Sequence, residues 1–123
     1  MRLLLVDHHK MTARSLRSLY PDADVDVSTH ASAAIAKAAN STPDIVVVEL
    51  SLAAHSGLEF LYEFRTYKDW QAVPVIIYSS IQLPDHIMRS RAWEQLGIAR
   101  YLYKPQCSLR ALRQTIDAFT VAS

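Results

Sequence analysis

The sequence predicts a doubly wound α/β domain: one five-stranded parallel sheet with helices on both faces. Three observations carry this. Short apolar runs recur as "LLLV" (Leu3–Val6), "IVVV" (Ile45–Val48) and "VIIY" (Val75–Tyr78). They are too short for helices and do not alternate, as expected of strands buried on both faces. Segments with helical spacing separate them, so strand and helix alternate five times, and right-handed crossovers then cover both faces.

Each element has its own signal. After the first strand, Leu16, Leu19 and Tyr20 make a short apolar stripe. "VDVS" (Val25–Ser28) is a weaker second strand, its polar content suited to a sheet edge. Ala31, Ala34, Ile35 and Ala38 follow the i, i+3, i+4, i+7 spacing of a second helix. Pro43 and Pro74 precede the third and fourth strands, where a missing donor costs little. Ser56-Gly57-Leu58-Glu59 is a capping box that opens a third helix with its stripe at Gly57, Phe60, Leu61 and Phe64. Met88, Ala92 and Leu96 suggest a fourth helix, "YLY" (Tyr101–Tyr103) a fifth strand, and Leu109, Leu112, Ile116 and Phe119 a last helix running almost to Ser123. We therefore expect residues 1–123 to form a single domain.

Composition narrows the function. Half of the 123 residues are apolar, which argues against disorder, and a formal charge of +1 gives no general attraction to nucleic acid or membrane. The single cysteine, Cys107, excludes an intrachain disulfide. No apolar stretch approaches the roughly 20 residues of a membrane span, and "MRLLLVDHH" is too short in its apolar part for a signal peptide. The expectation is a cytoplasmic domain without membrane partners. With only Gly57 and Gly97 available, no glycine-rich phosphate loop can be built. A Ser-His-Asp hydrolase lacks its G-x-S-x-G elbow.

In such a sheet, function sits beyond the carboxyl ends of the strands. Asp7, His8 and His9 follow the first strand, Glu49 the third, Ser79 and Ser80 the fourth, and Lys104 the fifth. These four clusters should meet on one rim.

On these residues the whole chain resembles the receiver domains of two-component response regulators. The resemblance implies a flavodoxin-like strand order 2-1-3-4-5 and a signalling role without catalysis. It also implies a Mg²⁺ site built from acids after the first and third strands, with an Asp after the third accepting a phosphoryl group. Asp7 matches the first acid, Ser79 the hydroxyl, Lys104 the lysine and Tyr101 the aromatic switch. Ser51 matches the position whose carbonyl binds the metal, and Lys104-Pro105 a pair that is often cis.

The departures bear on mechanism. His8 replaces the second acid and Glu49 the phosphoaccepting Asp, while Ala53 replaces a proline and Arg100 a glycine. If any metal bound, Asp7, Glu49 and Ser51 would hold it. Two carboxylates opposed by Lys104, with an imidazole in place of a third, give little incentive to bind Mg²⁺, so no cofactor is expected. Glu extends the carboxylate by about 1.5 Å, and misplacement on that scale costs a positioned reaction roughly 100-fold. The same extension predicts a direct Glu49–Lys104 pair.

We expect an atypical, phosphorylation-independent receiver that binds a protein partner or forms a homodimer. Its surface would combine the fourth helix, fifth strand and fifth helix, where Arg89, Trp93, Tyr101, Tyr103, Arg110 and Arg113 offer interface residue types. A C-terminal output domain, perhaps DNA-binding, follows from the family analogy. Two alternatives stay open: a metal- or small-ligand-sensing pocket at Asp7, His8 and Glu49, and a Mg²⁺-dependent phosphoacceptor that uses Glu49. Strand alternation would point His8 and His9 to opposite faces. That places His8 near the pocket and leaves His9 to cap a helix or face solvent. Cys107, near the start of the last helix, reads as an idle thiol or as one acidified by the helix dipole.

Overall fold

The computed structural model describes residues 1–53 and 55–120. Five parallel strands form the main sheet: β1 (Arg2–Val6), β2 (Asp24–Ser28), β3 (Ile45–Val48), β6 (Val75–Ser79) and β7 (Ile98–Tyr103). Their spatial order is β2-β1-β3-β6-β7, the expected 2-1-3-4-5. Between β3 and β6 lies a two-stranded antiparallel ladder, β4 (Ser51–Leu52) with β5 (His55–Ser56).

Alternation along the buried strands divides the core in two. Leu4, Val6, Val46, Val48, Val75 and Ile77 pack beneath α2 (Ala31–Asn40) and α3 (Gly57–Phe64). Leu3, Leu5, Ile45, Val47, Ile76 and Tyr78 pack beneath α1 (Lys10–Leu19) and α6 (Leu109–Thr120). The weaker strands are the edges, as their composition predicts. The Tyr20 hydroxyl fastens the second layer, donating to Asp117 Oδ1 at 2.7 Å and to the Arg113 carbonyl at 3.2 Å.

Several expectations need correction. The fourth helix is two pieces, α4 (Asp85–Met88) and α5 (Arg91–Leu96), because Ser90 breaks the run and caps the second piece through Trp93 N. Ala92 is exposed and only Leu96 of the expected stripe is buried. Leu109 is also exposed, leaving Leu112 and Ile116 as the buried residues of α6. The course of that helix beyond Thr120 lies outside the described residues. Strand β7 begins three residues before the expected Tyr101. Ser56 does cap α3, but through Leu58 N at 3.1 Å. Among the described residues no peptide bond is cis, so the Lys104–Pro105 bond is trans.

Gly57 ties the fold to the rim. A β-carbon there would stand 2.3 Å from the Glu49 carbonyl oxygen and 3.0 Å from Val48 Cγ2. Backbone cannot yield as a flexible side chain can, so α3 would have to back away from the end of β3. We expect Gly57→Ala to destabilise the domain by about 1–3 kcal/mol, the range of overpacked sites, measured by urea unfolding. Wild-type stability in this variant would show that the close approach is not required.

Candidate functional site

The carboxyl ends of β1, β3, β6 and β7 bring the predicted rim residues together. Glu49 follows the fully buried β3 and is itself 0% exposed. Its backbone N–H continues the sheet ladder by donating to the Val6 carbonyl at 2.8 Å, which fixes where the side chain starts. Each carboxylate oxygen then meets donors from elsewhere. Oε1 accepts from Ser80 N at 2.9 Å and from Lys104 Nζ at 3.1 Å. Oε2 accepts from Ser51 N at 3.1 Å and from the Ser79 hydroxyl.

Lys104 serves two acids. Its ammonium also lies 2.8 Å from Oδ2 of Asp7, a carboxylate as buried as Glu49, and 5.3 Å from the centre of the Tyr78 ring. Asp7 Oδ1 accepts from His9 N at 2.8 Å and contacts His9 Nδ1 at 3.0 Å. One cation and a set of N–H and O–H donors thus hold two buried carboxylates.

The acidity of Glu49 follows from that set. Burial raises its pKa, but the Ser79 hydroxyl, the Ser51 and Ser80 amides and Lys104 together outweigh burial and bring it down to about 2. Burial also raises the pKa of the Tyr78 and Tyr101 hydroxyls. Cys107 precedes α6, and burial raises the pKa of its thiol.

A divalent cation of the kind the resemblance implies would meet few unpaired oxygens on these residues. Mg²⁺ takes near-octahedral oxygen coordination. Here the oxygens of Glu49 and Asp7 already face protein donors, and His8 supplies no oxygen. The Lys104 ammonium already bridges the two acids. Ser51 is present at the rim through its amide on Glu49.

His9, not His8, contacts Asp7, and its Nδ1 also lies 3.4 Å from Lys104 Nζ. The histidine rings share one side of the chain, with centroids 4.1 Å apart. Strand alternation does not apply to them, because β1 ends at Val6 and His9 is the N-cap of α1. Arg113 belongs to the seam between α1 and α6, with its guanidinium 5.7 Å from the Tyr20 ring centre. Tyr101 lies on β7: its ring centre is 6.1 Å from that of Trp93 and its hydroxyl donates to the Ile81 carbonyl. The Ser80 and Ser51 amides escaped sequence reading, since a backbone N–H carries no residue signature.

This sheet order, with an acid, a hydroxyl and a lysine meeting at its carboxyl rim, defines a receiver-type signalling domain. The chain belongs to the response regulator receiver domain family, which matches residues 3–117. It is 30% identical over 109 residues to a protein-glutamate methylesterase/protein-glutamine glutaminase of Trichodesmium erythraeum (strain IMS101). That match takes in 85% of this chain but 30% of the relative, so the chain spans under a third of the relative's length. Among solved structures, the non-phosphorylated HemR receiver domain from Leptospira biflexa superposes with a TM-score of 0.82 at 19% identity, covering 99% of this chain and 95% of that one. Vibrio cholerae chemotaxis protein CheY4 gives a TM-score of 0.79 at 20% identity, covering 96% and 97%. No helix among the described residues is long and apolar enough to cross a membrane.

Glu49 keeps its proton off more strongly when folded than its ordinary value of 4.5 allows, so it stabilises the fold above that pH and loses the contribution as pH falls towards 2. A shift of this size corresponds to about 3 kcal/mol. Glu49→Gln should therefore be less stable than wild type at neutral pH, with the gap closing by roughly that amount between pH 4.5 and 2 in urea melts. Parallel acid limbs for the two proteins would contradict it. Lys104→Met leaves both acids without their cation and should cost about 3–5 kcal/mol.

Proposed function

We propose that this receiver domain signals without phosphoryl transfer, its rim held in one conformation by its own Glu49–Lys104–Asp7 network. The supporting observation is the double engagement of Lys104, at 3.1 Å from Glu49 and 2.8 Å from Asp7. The family resemblance assigns this lysine to a phosphoryl oxygen. Here an internal carboxylate, one methylene longer than Asp, takes that role, and Ser79 also serves Glu49. The rim is set without an added anion or Mg²⁺, and the domain acts as a binding module, not an enzyme.

The output surface in this reading is β7 with its flanking helices α4, α5 and α6. A cavity of about 480 Å³ opens there, lined by Leu83, Met88, Tyr101, Tyr103 and Cys107 among others. Tyr101 links it to the rim, because its hydroxyl holds the loop that follows Ser79. A protein partner or a second copy of the chain would dock on this face. The length of the curated relative suits an output domain attached in the full protein, with DNA binding one form of output. A cytoplasmic location accords with this role.

The test is amide NMR with beryllofluoride and Mg²⁺ added together. We expect wild-type Glu49, Ser79 and Tyr101 signals to stay in place, and Glu49→Gln alone to shift Tyr101. A Mg²⁺-dependent wild-type response centred on Glu49 would replace this reading with that of a phosphoacceptor.

A further inference from the structure

Asp7, His8 and His9 form a grouping just past the end of β1, beside the Glu49 network. One ligand-type atom from each lies within 4.8 Å of the other two. Asp7 is divided: Oδ2 takes the Lys104 ammonium, while Oδ1 lies on the histidine side. The Nδ1 atom of His8 is buried and has no hydrogen-bond partner among the described residues. A buried polar atom that has given up hydration without a replacement destabilises the fold unless a water or ion satisfies it.

We propose that Asp7, His8 and His9 bind a divalent transition-metal ion of the zinc, copper or nickel class. Two imidazoles and one carboxylate suit these ions and are the wrong set for Mg²⁺. Zinc sits about 2.0–2.2 Å from such atoms, so the three must draw closer together. The tether on His9 is weak: its side chain is 47% exposed and makes no capping bond to α1. A cavity of about 460 Å³ borders all three residues and leaves room for a water as fourth ligand. Charge opposes the site. Lys104 Nζ is 3.4 Å from His9 Nδ1, and Lys10, Arg14 and Arg17 line the same cavity. These cations hold affinity below that of a closed four-ligand site. Glu49 and Ser51 take no part, so the site does not rest on the phosphorylation-independent reading, and it shares Asp7 and the His9 ring with the rim network.

The test titrates the untagged protein with Zn²⁺ by calorimetry and with Co²⁺ by visible absorption. We expect one ion per chain, tetrahedral-type Co²⁺ bands, and binding weakened by about tenfold or more in both His8→Asn and His9→Gln. His9 is exposed, so His9→Gln remains informative if His8→Asn fails to fold. His30 and His55, with ring centres 6.2 Å apart, are the competing pair. Zn²⁺ uptake that survives His9→Gln, or that is lost in the His30→Gln/His55→Gln double variant, overturns the proposal, as does the absence of saturable uptake.

Discussion

The rim depends on one ammonium group held between two buried carboxylates. Desolvating Asp7 and Glu49 together would be strongly unfavourable if they faced only each other. Lys104 touches both, and four hydrogen-bond donors — the amides of His9, Ser51 and Ser80 and the Ser79 hydroxyl — complete their coordination. The sheet makes this affordable. Register aligns Val6 with Val48 and Ser79 with Tyr103, so the residues that follow emerge side by side. Gly57 adds the close packing of α3 on the Glu49 carbonyl.

The same geometry gives the Glu-for-Asp exchange its meaning. A longer side chain at the end of β3 reaches both Lys104 and Ser79 directly. Those are the groups that the family resemblance assigns to phosphoryl oxygens. In the proposed reading, the longer carboxylate occupies the partners of a phosphoryl group. Because Tyr101 hydrogen-bonds to the loop after Ser79, a change at the rim has a short route to the surface around β7.

Much of this was legible in the sequence, for reasons that differ by element. β1, β3 and β6 are buried on both faces, so their apolar runs report them directly. β7 is an edge strand whose start, Ile98-Ala99-Arg100, mixes exposed and half-buried positions and gives no such run. The ladder of β4 and β5 is too short to carry a period. The break at Ser90 shows cap preference prevailing over an i, i+4 stripe that few side chains bury. At the site, Glu49, Asp7, Ser79 and Lys104 were readable because each directly follows or ends a strand. His9 stands at the N-cap of α1 and is exposed, as read, but its ring also reaches Asp7, which alternation extended past Val6 did not foresee. No sequence rule identified Arg65, whose guanidinium joins α3 to the Leu96 and Trp70 carbonyls, each at 2.7 Å.

The most direct measurement is a carbon-13 titration of the Glu49 side-chain carboxyl in the folded domain. The Ser79 hydroxyl, the Ser51 and Ser80 amides and Lys104 together predict no inflection until about 2, with Lys104→Met moving it upwards. An inflection at or above the ordinary 4.5 in the wild type would mean that Lys104 and its companion donors do not hold Glu49 ionised, and the account of the rim would fail.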